Sequence, residues 1–511
     1  MPDSCDFEHF RAEPISFMDA HSGGAHLMLT VAVTFSGVIE EGRIRDAVQT
    51  LAKAWPMLGC YVRTGQEGTF ELLVPDTEHA SLTTTFVHIT KPLLATTFLP
   101  QKTQTITTQV VDRNTSLFYA IPPPSSAYAY IQENPRPGFQ LHVSMLSDAT
   151  VMSLSFPHVL MDASGVCSFM RALVGVMHGE EVGKYIEGNP FSSILDTTTK
   201  TSKEDLEGWT TYGPDDFIVS AQAEQVDLEK DGPISQRTIY FPRDEIDRLK
   251  AEAMKEVGET VPYLSSGDVI VAWLYKHFYG DEIYDPARTS RLLYILDARL
   301  RLPSLFPLTS TYLGNAYLVS PARPLANARV RDMSIGQLAS MVRLLVEENS
   351  KEENVNQAVR WKWDRSLEGG VQVPAKAGER VLFASNWLTF GLGDLNVKRA
   401  IRPLSGTGQL VDVYWGMPGI PSGVITFRDD SGGVMAQFDW AEKNWTNGTM
   451  GKYAIERLQL GDSKNEAEDS KTEIKEVAGK DYMYATGGKE PSVEEWQLYA
   501  FVSWVRKWLR L

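Results

Sequence analysis

The residue types best suited to chemistry meet in the stretch from Val151 to Met177. Met152, Leu154 and Phe156 alternate with Ser153 and Ser155, the two-residue period of a half-buried strand. Pro157 stops that strand. Beyond it Val166, Phe169, Met170, Leu173, Val174 and Met177 return at steps of three and four, the period of a helix with one buried face. His158 therefore lies on the short turn between strand and helix, held from both sides yet free to face a cavity. Imidazole ionises near neutrality, with an unperturbed pKa of about 6.5, so a histidine held in this way suits a general base. Asp162 follows four residues later, where it could orient the ring.

Spacing alone is weak support, because the chain holds nine histidines and a second HxxxD at His277 and Asp281. That histidine falls late in an apolar-periodic helix closed by Gly280, and it reads as structural. Cys167 lies on the buried face of the central helix with no base near it in sequence. It reads as a core residue, not as a nucleophile.

Composition narrows the function classes. With 511 residues, 43% of them hydrophobic, the chain can bury the cores of two or three domains. A formal net charge of -16 argues against a phosphate backbone as partner, so no nucleic-acid binding is expected. The three cysteines, Cys5, Cys60 and Cys167, are odd in number and lack metal-ligand spacing. They fit a reducing compartment, and no metal site is expected. No apolar run reaches the length of a membrane span, and the opening MPDSCDFEHF lacks a basic and then apolar signal, so the expected location is cytoplasmic.

The remaining stretches must position the central turn. Ile44, Ala47, Val48, Leu51, Ala52 and Trp55 predict an amphipathic helix ending at Pro56, and Tyr61 to Val74 a hairpin. Gln140 to Phe156 reads as a hairpin around Ser147-Asp148-Ala149 that delivers the strand ahead of His158. Residues 1–195 form an expected first lobe, and the aperiodic stretch 196–235 a crossover linker. A second lobe spans 236–460. Its helices are marked by Ile246, Leu249, Ala253 and Val257, by a start capped at Ser265 or Ser266, and by Ile335, Leu338, Ala339 and Val342. Residues 461–490 read as a flexible acidic linker. Residues 491–511 read as an amphipathic helix whose wide apolar face needs cover from the parent fold, a second chain or a membrane surface.

Four separated stretches, taken together, resemble the BAHD-type acyl-CoA-dependent acyltransferases, particularly the fungal branch that includes trichothecene 3-O-acetyltransferases. IRDAVQTLAKAWPMLGCYVR resembles the family's N-terminal helix and the turn after it. SFPHVLMDASG resembles its HxxxDG signature, with Ala163 in place of glycine. LDARLRLPSLFPLTSTYLGN resembles its D-x-R-x-R … Y-x-G-N segment. SNW at 385–387 and DVYWGMPG at 412–419 resemble its S-x-W and DFGWG-x-P blocks, with Val413 and Tyr414 where phenylalanine and glycine are usual. Order and spacing agree over roughly residues 15–460.

The resemblance implies an α/β fold of two chloramphenicol-acetyltransferase-like domains, mixed sheets with flanking helices, and an active-site channel at their interface. It implies an acyl-CoA-dependent O-acyltransferase, with acetyl-CoA as co-substrate and no tightly bound cofactor. The expected acceptor is a hydroxyl of a hydrophobic specialised metabolite such as a terpenoid or alkaloid. His158 would be the base, with no acyl-enzyme. Asp162 would turn away to pair with Arg299 in preference to Arg301. Asp412, Trp415 and Gly416 would organise the cleft wall, with the Trp415 indole or a nearby hydroxyl as oxyanion donor. Ser265 and Ser266 could meet the CoA phosphates, although plain capping explains them equally well, and Arg380, Lys398 and Arg399 are candidates near the nucleotide. A monomer is expected. The alternatives are a carrier-protein-dependent condensation-type acyltransferase, whose usual paired histidines are interrupted here by Pro157, and a non-catalytic binding protein of the same fold.

Overall fold

The computed structural model describes residues 7–455 except 21–26, 66–69, 93–98, 112–114, 120–126, 132–134, 196–205, 213, 259–260, 282, 369–370 and 417–422. The expected acidic linker 461–490 and helix 491–511 lie outside the described residues, as does Cys5. The principal strands in chain order are β1 (Met28–Ser36), β2 (Thr83–His88), β3 (Thr107–Gln109), β4 (Gln140–Met145), β5 (Ala149–Pro157) and β6 (Ile234–Phe241). They continue with β7 (Thr289–Asp297), β8 (Tyr317–Pro321), β9 (Arg380–Asn386), β10 (Leu410–Gly416), β11 (Gly423–Arg428) and β12 (Val434–Ala441). The long helices are α1 (Glu41–Ala54), α2 (Ala163–Met177), α3 (Pro214–Asp231), α4 (Arg243–Val257), α5 (Ser266–Tyr279), α6 (Ile335–Asn349) and α7 (Glu352–Glu368).

Two mixed sheets carry the fold. The first has the order β10-β1-β5-β4-β2, and the second runs β8-β7-β9-β11-β12-β6-β3, with Leu325–Ala326 also paired to β7. Neither sheet is built from one half of the chain. β10 lies antiparallel to β1, with Trp415 opposite Val31 and Asp412 opposite Thr34. In return β3 pairs with β6, Gln109 opposite Thr238. The DVYWG segment, assigned by sequence order to the second lobe, therefore hydrogen-bonds as an edge strand of the first lobe's sheet.

Helices α1 and α2 cover one face of the first sheet, burying Leu51, Trp55, Phe169 and Leu173. The expected half-buried character of the strand before His158 is not observed, because all nine residues of β5 are buried. β5 is a central strand, and its serine face is covered as well: the Ser155 and Thr30 hydroxyls lie 2.7 Å apart across β5 and β1. The other departure is α3, which occupies the expected crossover linker. It opens on Pro214 with Asp215 and Asp216 in its first turn, a favourable helix start. Its Asp227 receives both guanidinium nitrogens of Arg288, at 2.6 and 2.9 Å. Among the described residues no helix is long and apolar enough to cross a membrane.

Helices α4, α5 and α6 pack on the second sheet around an aromatic cluster. Trp445 sits at its centre, fully buried, within 6.0 Å of the rings of Phe278, Phe438 and Trp440. Its indole N–H donates to the Ser235 carbonyl at 3.1 Å. Removing so large a side chain from a rigid core leaves a cavity, at a typical cost of about 3–5 kcal/mol. Trp445→Ala should show that loss in urea unfolding followed by circular dichroism.

Candidate active site

The turn between β5 and α2 is tied to its surroundings at both ends. The His158 amide donates to the Leu27 carbonyl at 2.8 Å, and its own carbonyl accepts from the Asn315 side-chain amide at 2.8 Å. The ring is half-buried and lies 5.8 Å, centroid to centroid, from Tyr317. Nδ1 is 3.0 Å from the Met161 carbonyl. A carbonyl only accepts, so Nδ1 carries the hydrogen and Nε2 is left with its lone pair. Burial pushes the His158 pKa below its ordinary value despite the opposing pull of Asp162. The result is a neutral imidazole with a free basic nitrogen.

Asp162 does not orient that ring. Its two oxygens are taken up by Arg299, Nη1 to Oδ2 at 2.9 Å and Nη2 to Oδ1 at 3.0 Å. Oδ1 also accepts from the Gly165 amide at 2.9 Å, which caps α2, and Oδ2 accepts from the Ala316 amide at 2.8 Å. Arg301 instead reaches the Asp297 carbonyl and the Ser350 hydroxyl. The approach is so close that a Cβ on Gly165 would lie 2.2 Å from the Leu313 carbonyl oxygen, which leaves glycine as the residue that fits. Two further residues, not singled out from the sequence, complete the frame. Asp19 Oδ1 accepts from the backbone and side-chain amides of Asn315, at 2.8 and 2.6 Å. Asn315 closes the YLGN segment and was legible as part of that pattern, whereas nothing marked Asp19.

The DVYWG strand forms a second wall. Its backbone is gripped from the other sheet by Gln437, whose side chain donates to the Val413 carbonyl at 2.6 Å and accepts from the Trp415 amide at 3.1 Å. Gln236 donates to the Trp415 carbonyl at 3.3 Å. Val413 enters the core, and Tyr414 stacks on Phe118 at 4.1 Å, so the two unusual residues of the motif have packing roles. A Cβ on Gly416 would meet the hydroxyls of Tyr119 and Tyr414 at 2.9 Å. Asp412 is buried. The Trp415 indole packs edge-on against Trp387 at 5.1 Å, and its N–H is buried with no acceptor among the described residues.

The start of α5 is a capping box: Ser265 Oγ accepts from the Asp268 amide at 3.2 Å, and Asp268 Oδ2 accepts from the Ser265 amide at 2.7 Å. Gly267 brings this helix end against the SNW segment, since a Cβ there would lie 2.2 Å from Asn386 Nδ2. Ser266 is the first residue of the helix. Of the basic candidates, Arg380 is committed to Asp227 and Asp231, while Lys398 and Arg399 are exposed. The second HxxxD is structural in its packing: His277 Nδ1 bonds the Trp273 carbonyl at 2.7 Å, and its ring stacks on Trp273. Cys60 and Cys167 are buried free thiols whose pKa burial pushes up, which disfavours a reactive thiolate.

Residues 122–397, more than half of the chain, match the Transferase family. The chain belongs to this family of BAHD-type acyltransferases. Similar proteins include acetyltransferase adrJ of Penicillium roqueforti, 23% identical over 75% of this chain and 81% of its own length. The O-acetyltransferase PaAT-2 of Phomopsis amygdali is 24% identical over 74% of this chain and 81% of its own. Among solved structures, F. graminearum TRI101 complexed with ethyl coenzyme A superposes with a TM-score of 0.62 at 14% identity, covering 87% of this chain and 99% of that one. Vinorine synthase gives 0.58 at 13% identity, over 87% and 92%. This BAHD-type chain is thus an acyltransferase of mixed α/β, two-domain fold.

Breaking one partner of a buried ion pair typically costs about 3–5 kcal/mol. Asp162→Ala should lose that much stability in denaturant unfolding, and Arg299→Lys, which keeps the charge but not the two-pronged contact, should lose less.

Proposed function

We propose that the protein transfers an acyl group, acetyl by preference, from acyl-CoA to a hydroxyl of a hydrophobic specialised metabolite, a terpenoid or alkaloid. One observation carries the reading: His158 Nδ1 lies 3.0 Å from the Met161 carbonyl, which assigns the ring hydrogen to Nδ1 and leaves Nε2 to act as the base. Acyl transfer to an alcohol needs such a group. Nε2 takes the hydroxyl proton as the acceptor oxygen attacks the thioester carbonyl. Collapse of the tetrahedral adduct expels the CoA thiolate, which takes the proton from the imidazolium. The products are an ester and free CoA, with no acyl-enzyme.

The Trp415 N–H, buried without an acceptor, is the proposed donor to the oxyanion. Asp162 and Arg299 act as positioning residues that fix the turn, and Asp412 and Gly416 shape the wall. We place acyl-CoA in a channel between the two lobes, entering opposite the acceptor, with its phosphates toward Ser265 and Ser266, because helix N-termini attract anions. The names of similar proteins support acetyl transfer, and solved neighbours are described in complex with coenzyme A and T-2 mycotoxin or with deoxynivalenol. The proposal takes the enzyme to be cytoplasmic and monomeric.

Incubation with acetyl-CoA and a panel of hydroxylated terpenoids and alkaloids, read by mass spectrometry, should reveal an added acetyl. His158→Ala should remain folded and lose turnover; substantial residual activity would remove the mechanism. Trp415→Phe should lower kcat by about 10²–10³ if its N–H serves the oxyanion. Because the base works only when unprotonated, kcat/KM should rise with pH and level off with an apparent pKa below about 6.5.

A further inference from the structure

A cation that the mechanism above does not use lies near the ring of Tyr317. Lys362, on α7, is half-buried. Its Nζ donates to the Met18 carbonyl at 3.1 Å and lies 5.6 Å from the centre of the Tyr317 ring. That same ring is the 5.8 Å neighbour of the His158 imidazole, so the ammonium and the imidazole share one aromatic neighbour. No carboxylate comes within ion-pairing distance of Lys362 among the described residues. Asp19, which follows Met18, is the nearest source of opposing charge felt by the ammonium.

Among the described residues, the groups around His158 can be enumerated by element. Asp162 approaches from its own turn, but its charge is shared with Arg299, which also binds Asp297. Asp19 acts from the segment Phe17–Ala20 through Asn315. Tyr317 comes from β8 and Lys362 from α7. Burial raises the Asp19 pKa to about 7 against its hydrogen bonds from Asn315, so its negative charge is incomplete at neutral pH. Burial lowers that of Lys362 to about 8, which still leaves the ammonium mostly charged there. Burial is the main influence that keeps the imidazole neutral; Asp162 opposes it, and the Lys362 ammonium, a like charge that disfavours imidazolium, adds to it.

We infer that Lys362 is a positioning residue for charge, whose ammonium adds to burial in disfavouring protonation of His158 in the resting enzyme and makes the transient imidazolium a readier acid toward the departing thiolate. The inference rests on His158 being the base. It adds no reactant, because the proton still passes from acceptor hydroxyl to Nε2 to CoA sulfur, and Lys362 neither gains nor loses one.

Lys362→Gln keeps a donor for the Met18 carbonyl and removes the charge, whereas Lys362→Arg keeps the charge. The His158 titration, followed by the 13C shift of its Cε1 in the full chain and assigned by its absence in His158→Gln, reads the coupling without turnover. It should move up by roughly half a pH unit or more in Lys362→Gln and stay in place in Lys362→Arg. In activity, kcat/KM of Lys362→Gln should fall by roughly twofold relative to wild type at pH 6 and converge with it above pH 8. Lys362→Met serves as a second charge-free variant should Gln fold poorly. An unmoved titration in the charge-free variants overturns the inference, and so does an equal shift in Lys362→Arg. Failure of acyl transfer in wild type would strike the proposed function instead, and the titration separates the two.

Discussion

The contact between Asp162 and Arg299 is the constraint on which the arrangement depends. It joins the first turn of α2 to the segment after β7, and both side chains are nearly sealed from water. A buried ion pair stabilises only when its geometry and remaining hydrogen bonds offset desolvation. Here the carboxylate accepts two guanidinium bonds and two backbone amides, from Gly165 and Ala316. Those amides belong to different elements, so the pair fixes the position of the helix start relative to Asn315, and Asn315 in turn holds the backbone of His158. The carboxylate four residues from His158 thus controls where the ring sits without bonding to it, and its charge only partly opposes the effect of burial on the imidazole.

The exchange of edge strands between the sheets does the same work on the other wall. β10 hydrogen-bonds to β1, yet Gln437 and Gln236 hold its backbone from the second sheet. Trp415 is consequently positioned by both sheets at once. An indole N–H buried without an acceptor carries a desolvation cost. Groups left incompletely matched in the resting protein are where a reaction can recover free energy.

What could be read from the residues followed from periodicity and local stops. The strand, the proline, the turn and the helix around His158 were legible because 2.0 and 3.6 periods meet there with Pro157 between them, and α1, α4 and α5 were legible in the same way. The choice of Arg299 over Arg301 came from motif resemblance alone. The misreadings are non-local. The serine face of β5 looked solvent-facing because alternation reports polarity, and small hydroxyls can pair across buried strands, as Ser155 and Thr30 do. The true sheet of β10 is a pairing over nearly 380 positions that no local pattern encodes. Helix α3 escaped notice because its stretch read as aperiodic; Ile218, Val219 and Val226 are exposed, and Pro214 and the two aspartates after it were the usable signal. Asp19 was invisible because its meaning comes from Asn315, 296 residues away.

The central claim is that the resting His158 ring is neutral, with its hydrogen on Nδ1 and its lone pair on Nε2. The most direct measurement is 15N NMR of histidine-labelled protein near pH 7.5, with His158 assigned by substitution. The account predicts a protonated Nδ1 and an unprotonated Nε2. A ring protonated on Nε2, or charged at that pH, would contradict it.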